Sequence, residues 1–258
     1  MKKGLFIILL AIVLVAAFLR IYKINLYPPL NRDEVAIGYN AYSILKTGKD
    51  EWNKFLPLTF KSIGDYKSPL LIYLETLFLF FLPLKTWVIR LPVVLSSLGL
   101  IVLSYFIGNK IKKGIGLLFS LSLIVVPWQI IFSRAAYEAM LALLLTAALM
   151  YFWKLNKKYL TVICSLLAVF TYSSALIILP LFVLIVLIYD VFTKRKNIKF
   201  LGIWLVILTI AAYTQLSISG AKGTVTFFSN PQQVLDFNEI YREKYQQNPI
   251  TAQLFYNK

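Results

Sequence analysis

The sequence predicts an all-α, polytopic membrane protein, and three observations carry that prediction. The 258-residue chain is 59% hydrophobic, well above the roughly 45–50% apolar share of soluble domains. Several of its apolar runs are long enough to cross a bilayer, for which about 20 residues suffice. None of the runs alternates as the strands of a membrane barrel do. Mean hydropathy is +0.74.

The net charge of +16 has a membrane explanation. The basic residues cluster in short loops between apolar runs, as expected of cytoplasmic loops. No basic-aromatic module points to nucleic acid as a partner. Cys164 is the only cysteine and histidine is absent. Those two counts exclude an intrachain disulfide, a cysteine metal site, the Ser-His triad and most zinc sites. Proton transfer must rest on carboxylates, lysine or tyrosine.

The first helix is expected over 5–19, after Met1-Lys2-Lys3. No small-residue cleavage site follows, so it is read as retained, with a cytoplasmic N-terminus. Residues 23–68 form an outer loop with seven Lys/Arg and five Asp/Glu. Within it, 31–48 predicts a short amphipathic helix. Asn31 is its cap, Glu34 the capping-box acid and Gly48 its stop, with Val35, Tyr39 and Tyr42 on one face. Asp33 and Glu34 then occupy a first turn, where the helix dipole favours their charged forms. Trp52, Phe55, Leu56, Leu58 and Phe60 suit a segment lying on the membrane.

Further apolar runs cover 70–84, 91–107, 115–132, 140–153, 159–189 (broken near 171–174) and 200–218. Basic residues at Lys110, Lys112 and Lys113, at Lys154, Lys157 and Lys158, and at Lys194, Arg195, Lys196 and Lys199 mark cytoplasmic loops. The count works only if 70–84, which is short and carries Glu75, enters and leaves on the outer side. About seven spans result, with interfacial or re-entrant helices in the first outer loop. Residues 1–218 form the membrane domain. Residues 219–258, with a turn at Ser229-Asn230-Pro231, form an extracytoplasmic segment that stops before further helices.

Three charged clusters then share the outer side: Asp33 with Glu34, Lys67 with Arg90, and Arg134 with Glu138. Cations neutralise a phosphate leaving group, and a carboxylate accepts the proton of an attacking hydroxyl. Outside the cytoplasm a lipid-phosphate sugar is the reasonable donor. Each residue also has a structural explanation. Arg90, Arg134 and Lys67 could anchor at the interface, and Glu138 could complement a helix dipole. Glu75 is the stronger signal, because an acid within an apolar run is costly. No metal-ligand spacing is visible and no cofactor is called for, although clustered carboxylates leave room for a divalent cation.

The motifs, in order, are Arg32-Asp33-Glu34 after the first helix, Lys67-Ser68-Pro69-Leu70 with Tyr73, and Trp87-Val88-Ile89-Arg90-Leu91-Pro92. Pro127 and Ser133-Arg134-Ala135-Ala136-Tyr137-Glu138 follow, then Phe228-Ser229-Asn230-Pro231 and Leu254-Phe255-Tyr256-Asn257-Lys258. The set resembles the N-terminal part of GT-C superfamily glycosyltransferases, in particular the bacterial protein O-mannosyltransferase-like enzymes and the related aminoarabinose transferases of lipid A. Ser68 stands where the family pattern has proline, and Glu138 where relatives often have aspartate. The resemblance implies a GT-C-like fold and an inverting transfer of a sugar from a polyprenyl phosphate at the outer membrane face. The hydroxyl acceptor belongs to a lipid, glycan or protein. It implies Asp33, with Glu34 beside it, as the catalytic acids, and Lys67, Arg90 and Arg134 as the donor-phosphate cations. Glu138, Tyr73 and Glu75 are candidates for acceptor contact or site shaping. Family members are longer, so an N-terminal fragment is expected. The alternative is a transporter or lipid flippase whose passage the same charges would line. A purely structural subunit would leave Glu75 and the clustered charges unexplained.

Overall fold

The computed structural model describes residues 3–62, 65–193 and 197–219. The expected outer segment from 220 onward lies outside the described residues, as do Lys194, Arg195 and Lys196. The described elements are α1 (Lys3–Ile21), α2 (Arg32–Thr47), β1 (Phe60–Ser62), β2 (Asp65–Lys67), α3 (Pro69–Phe81), α4 (Thr86–Ile111), α5 (Gly116–Val125), α6 (Pro127–Ser133), α7 (Glu138–Lys154), α8 (Lys158–Val169), α9 (Ser173–Phe192) and α10 (Ile198–Ser219). β1 and β2 pair antiparallel, a hairpin the sequence reading did not anticipate.

Helices α1, α4, α9 and α10 are long and apolar enough to cross a membrane. Helices α5 and α6 meet at 70° and make a fifth candidate if they form one span. Helix α7 has 17 residues and α8 has 12. Four or five candidates therefore stand against the expected seven or so. Only 22% of the most apolar window of α1, and of α9, is buried. Phe6, Ile7, Leu14 and Phe18 on α1 are exposed, as are Ile177, Leu181 and Ile185 on α9. So much outward apolar surface matches a hydrocarbon surrounding rather than water.

The α5–α6 break follows from Pro127. Proline has no N–H, so the Leu123 carbonyl loses its helical partner four residues on. The Arg20 guanidinium, fully buried at the end of α1, supplies a replacement through Nη2 at 3.4 Å. Its other donors reach Ser97 Oγ on α4 at 2.6 Å, the Ala16 carbonyl at 2.9 Å and Gln129 Oε1 on α6. Gln129 Nε2 donates in turn to Ser97 Oγ at 3.0 Å. One cation thus joins α1, α4 and both halves of the broken helix.

Long-range hydrogen bonds define one end of the bundle. Arg134, after α6, donates to the carbonyls of Leu19, Tyr22 and Tyr27, where α1 ends. The Trp87 N–H at the start of α4 donates to Asn25 Oδ1 at 3.1 Å. The Leu70 N–H at the start of α3 donates to the Phe170 carbonyl between α8 and α9 at 3.0 Å. Gln215 on α10 holds Thr59 and the Leu58 carbonyl. At the opposite end Lys154 Nζ donates to the Lys110 carbonyl, so the basic loops after α4 and α7 lie together. Helix α3 therefore starts at the first end, and residues 82–85 lead from it to the start of α4 at that same end. At 1.5 Å per residue its 13 residues reach about 20 Å, and it packs against α2 and α4.

Helix α2 begins and ends as its residues predict. Asn31 is the N-cap, the capping box with Glu34 is complete, and Gly48 closes the helix at φ 69°. Its buried face is different from the one expected. Glu34, Ile37, Gly38, Ala41 and Ile44 are buried with Val35, while Tyr39 and Tyr42 are only partly buried, Tyr42 packing against the core. Covering by α3 on one side and α4 on the other selects this face. A Cβ on Gly38 would stand 2.5 Å from Ile89 Cδ1 on α4, so glycine permits the close approach. Trp52, Phe55, Leu56 and Leu58 are exposed as expected of an interfacial loop, but Phe60 is fully buried. The β1–β2 hairpin turns it inward against Tyr73, ring centroids 5.6 Å apart.

Replacing Arg20 with methionine orphans the Leu123 carbonyl and Gln129, each costing roughly 1–3 kcal/mol. The melting temperature of the purified chain in detergent should fall clearly, and Ser97→Ala should lower it less. In a Cys164→Ser background, cysteines at 49 and 86 should react with an impermeant thiol reagent from one side of a vesicle, and a cysteine at 112 from the other. Labelling of 49 and 112 from one side, with 86 reacting from the other, would mean that α3 crosses.

Candidate functional site

The site is built on a buried ion pair. Glu34 and Arg90 have fully buried side chains. Arg90 Nε donates to Glu34 Oε1 at 2.7 Å and Nη2 to Oε2 at 2.8 Å, the bidentate fork that suits guanidinium and carboxylate. The Ala136 N–H donates to Oε1 at 2.8 Å and the Asn31 N–H to Oε2 at 3.2 Å. Each carboxylate oxygen thus accepts two bonds, which fills its lone pairs. Arg90 Nη1 donates to the Ile24 carbonyl at 2.6 Å. Two desolvated charges are tolerable only with this degree of satisfaction.

Asp33 precedes Glu34 by one residue, about 100° around the helix, and so faces elsewhere. Its carboxylate, half-exposed, lies 3.1 Å from Lys67 Nζ, whose side chain is 10% exposed. Both line a cavity of about 270 Å³ together with Ile37, Tyr66, Ser68, Phe132, Ala136, Tyr137, Glu138, Ala139, Tyr172 and Ser173. Lys67 reaches it as the last residue of the hairpin, just before Pro69 opens α3. Glu138, at the start of α7, accepts the Ser68 N–H on Oε1 at 3.0 Å. Asn31 Nδ2 donates to the Tyr137 hydroxyl at 3.1 Å. Burial, and then the charges of Glu34 and Asp33, raise the Tyr137 phenol above its ordinary range, with Arg90 opposing. Tyr137 therefore stays a neutral hydroxyl at neutral pH. The cavity offers a carboxylate, an ammonium group and hydroxyls beside apolar walls, a lining suited to a polar ligand with an anionic part.

The structure brings together Asp33, Lys67 and Glu138 among the expected site residues. It does not open Glu34 or Arg90 to a ligand, since each is spent on the other and on backbone groups. Arg134 is likewise engaged by the three carbonyls at and just after the end of α1 and does not line the cavity. Of the three cations expected to face one phosphate, only Lys67 lines the cavity. Asp33 and Glu34 are adjacent in sequence but do not converge. Tyr73 donates to the Pro57 carbonyl at 2.8 Å and braces the loop. Glu75 is fully buried on α3, away from the cavity lining. Among the described residues no group of three or more His, Cys, Asp or Glu could hold a metal ion. The sequence reading assigned no role to Tyr66, Tyr137, Tyr172 or Ser173. Tyr137 stands in the quoted Ser133–Glu138 motif, while Tyr172 and Ser173 were visible only as a helix break.

Fold and site define a mostly helical protein with several candidate membrane spans and a charged cavity at one end of the bundle. No family model matches the chain, and no curated protein matches it either.

Glu34→Gln and Arg90→Met should each destabilise the protein by about 3–5 kcal/mol, because each strands a buried partner. The double variant should recover part of that loss in a double-mutant cycle read by denaturant unfolding. Additive losses would mean that the two groups do not interact.

Proposed function

We propose that the chain is a membrane glycosyltransferase, or the N-terminal part of one, moving a sugar from a polyprenyl-phosphate donor to a hydroxyl acceptor. The observation that carries this reading is the half-exposed Asp33 carboxylate 3.1 Å from Lys67 Nζ at a cavity wall. The motif resemblance supports it, and so does the absence of a nucleotide-binding glycine loop in the sequence.

The acceptor oxygen attacks the anomeric carbon from the face opposite the leaving group, inverting it. The bond from that carbon to the phosphate oxygen breaks with its electron pair. Asp33 Oδ takes the acceptor proton, and Lys67 Nζ offsets the charge gathering on the phosphate. Glu34 and Arg90 act as positioning residues, since their pair sets the end of α2 from which Asp33 projects. Arg134 does the same by holding the end of α1 to the start of α7. The donor binds from the lipid, at the end of the bundle away from the Lys110 and Lys154 loops. On the positive-inside argument that end is extracytoplasmic, in a plasma or inner membrane.

A vesicle assay with a radiolabelled polyprenyl-phosphate sugar tests the reading. The wild-type chain should release polyprenyl phosphate, and Asp33→Asn should slow release by about 10²-fold or more while inserting normally. Lipid relocation without release would favour the flippase alternative, and an undiminished Asp33→Asn rate would remove Asp33 from the chemistry.

A further inference from the structure

Glu75 has no role in the scheme above, and its setting is unusual. Its side chain is 0% exposed, and among the described residues neither carboxylate oxygen has a hydrogen-bond partner. Three other acids at this end have partners. Glu34 is held by Arg90, Asp33 by Lys67, and Glu138 by the Ser68 N–H. Glu75 sits on the buried face of α3 with Leu71, Ile72 and Leu79. That helix starts at the cavity wall, through Ser68, and packs against α2 and α4.

A buried, unpartnered carboxylate pays the full cost of desolvation, which the neutral acid largely avoids. The charged groups around Glu75 push the same way. Glu34 faces it from α2 and Glu138 from the start of α7. Arg90, near the start of α4, is bound to Glu34. Burial first, and then the charges of Glu34 and Glu138, hold the carboxyl well above the usual carboxylate range. The same Glu138 lines the cavity, so the protonation state of Glu75 is felt where a ligand would sit.

We propose that Glu75 is a proton-binding site that sets the charge of the adjoining cavity, admitting an anionic group as the neutral acid and opposing it as the carboxylate. The linkage rests on the reading of the cavity as a phosphate site, but the proton site itself does not. The sign follows from charge. Neutral Glu75 adds nothing to the negative potential around Lys67. Losing its proton adds a negative charge near Glu138, and anion affinity falls as pH rises through the titration of Glu75.

Two measurements on the full chain test this. Infrared spectra of the unliganded protein at neutral pH should contain a protonated-carboxyl carbonyl band that shifts in heavy water and disappears in Glu75→Gln. A spectrum unchanged by that substitution overturns the proton site. Equilibrium binding of radiolabelled sulfate, whose own charge is constant over the range, is then followed from neutral to alkaline pH. Wild type and Glu75→Gln should bind alike at neutral pH, and only the wild type should then lose further affinity, several-fold relative to the variant. Parallel profiles overturn the linkage. Absence of sulfate binding at every pH removes the phosphate reading and the linkage together, while the infrared band still decides whether Glu75 carries a proton.

Discussion

The Glu34–Arg90 pair is the constraint on which the cavity depends. Neither charge reaches solvent, so each would be strongly unfavourable without the other. The pair draws four parts of the chain to one point. Glu34 comes from α2 and Arg90 from α4, and the Ala136 N–H comes from the turn before α7. The Ile24 carbonyl comes from the segment after α1. Once Glu34 is turned inward, the helical step fixes Asp33 toward the hairpin and Lys67. The geometry of the exposed acid is thus a consequence of the buried one.

Arg20 repeats the principle deeper in the bundle, with neutral acceptors in place of a carboxylate. A proline-broken helix leaves a carbonyl without its partner, and a guanidinium with several donors can cover that carbonyl while holding neighbouring helices. Arg134 uses the same multiplicity at the end of α1. Arg20, Arg90 and Arg134 therefore each bind backbone carbonyls of other segments. Lys67 is different. It is a single ammonium group facing a half-exposed carboxylate across a cavity wall, and a compact point charge of that kind can exchange partners more readily than a locked guanidinium fork.

What could be read from the sequence was local. Asn31, Glu34 and Gly48 specify the start and stop of α2 through bonds spanning three or four residues, so the helix was legible to the residue. The break between α8 and α9 and the short reach of α3 were legible from run length. The partner of Glu34 was not, because Arg90 lies 56 residues away and nothing local distinguishes an interfacial anchor from half of a buried pair. Phe60 was misplaced for a related reason. Alternation in a three-residue strand carries too little pattern to show which way the hairpin turns. Arg134 looked like a phosphate ligand because an arginine after a membrane run has several equivalent readings, and only the returning end of α1 selects among them.

On the proposed reading, the contact between Asp33 and Lys67 has a mechanistic consequence. The Asp33 carboxylate lies 3.1 Å from Lys67 Nζ, so the contact holds the acid against the cation. An arriving phosphate competes for Lys67, and as the ammonium group turns toward it, Asp33 is released to meet the acceptor hydroxyl. The acid and the cation would then be one device: donor binding itself prepares the base. The buried pair could not serve this purpose, because Glu34 has no lone pair to spare and Arg90 no exposed donor. Separating a locked acid from a releasable one by a single residue lets one helix turn both support the cavity and respond to what enters it.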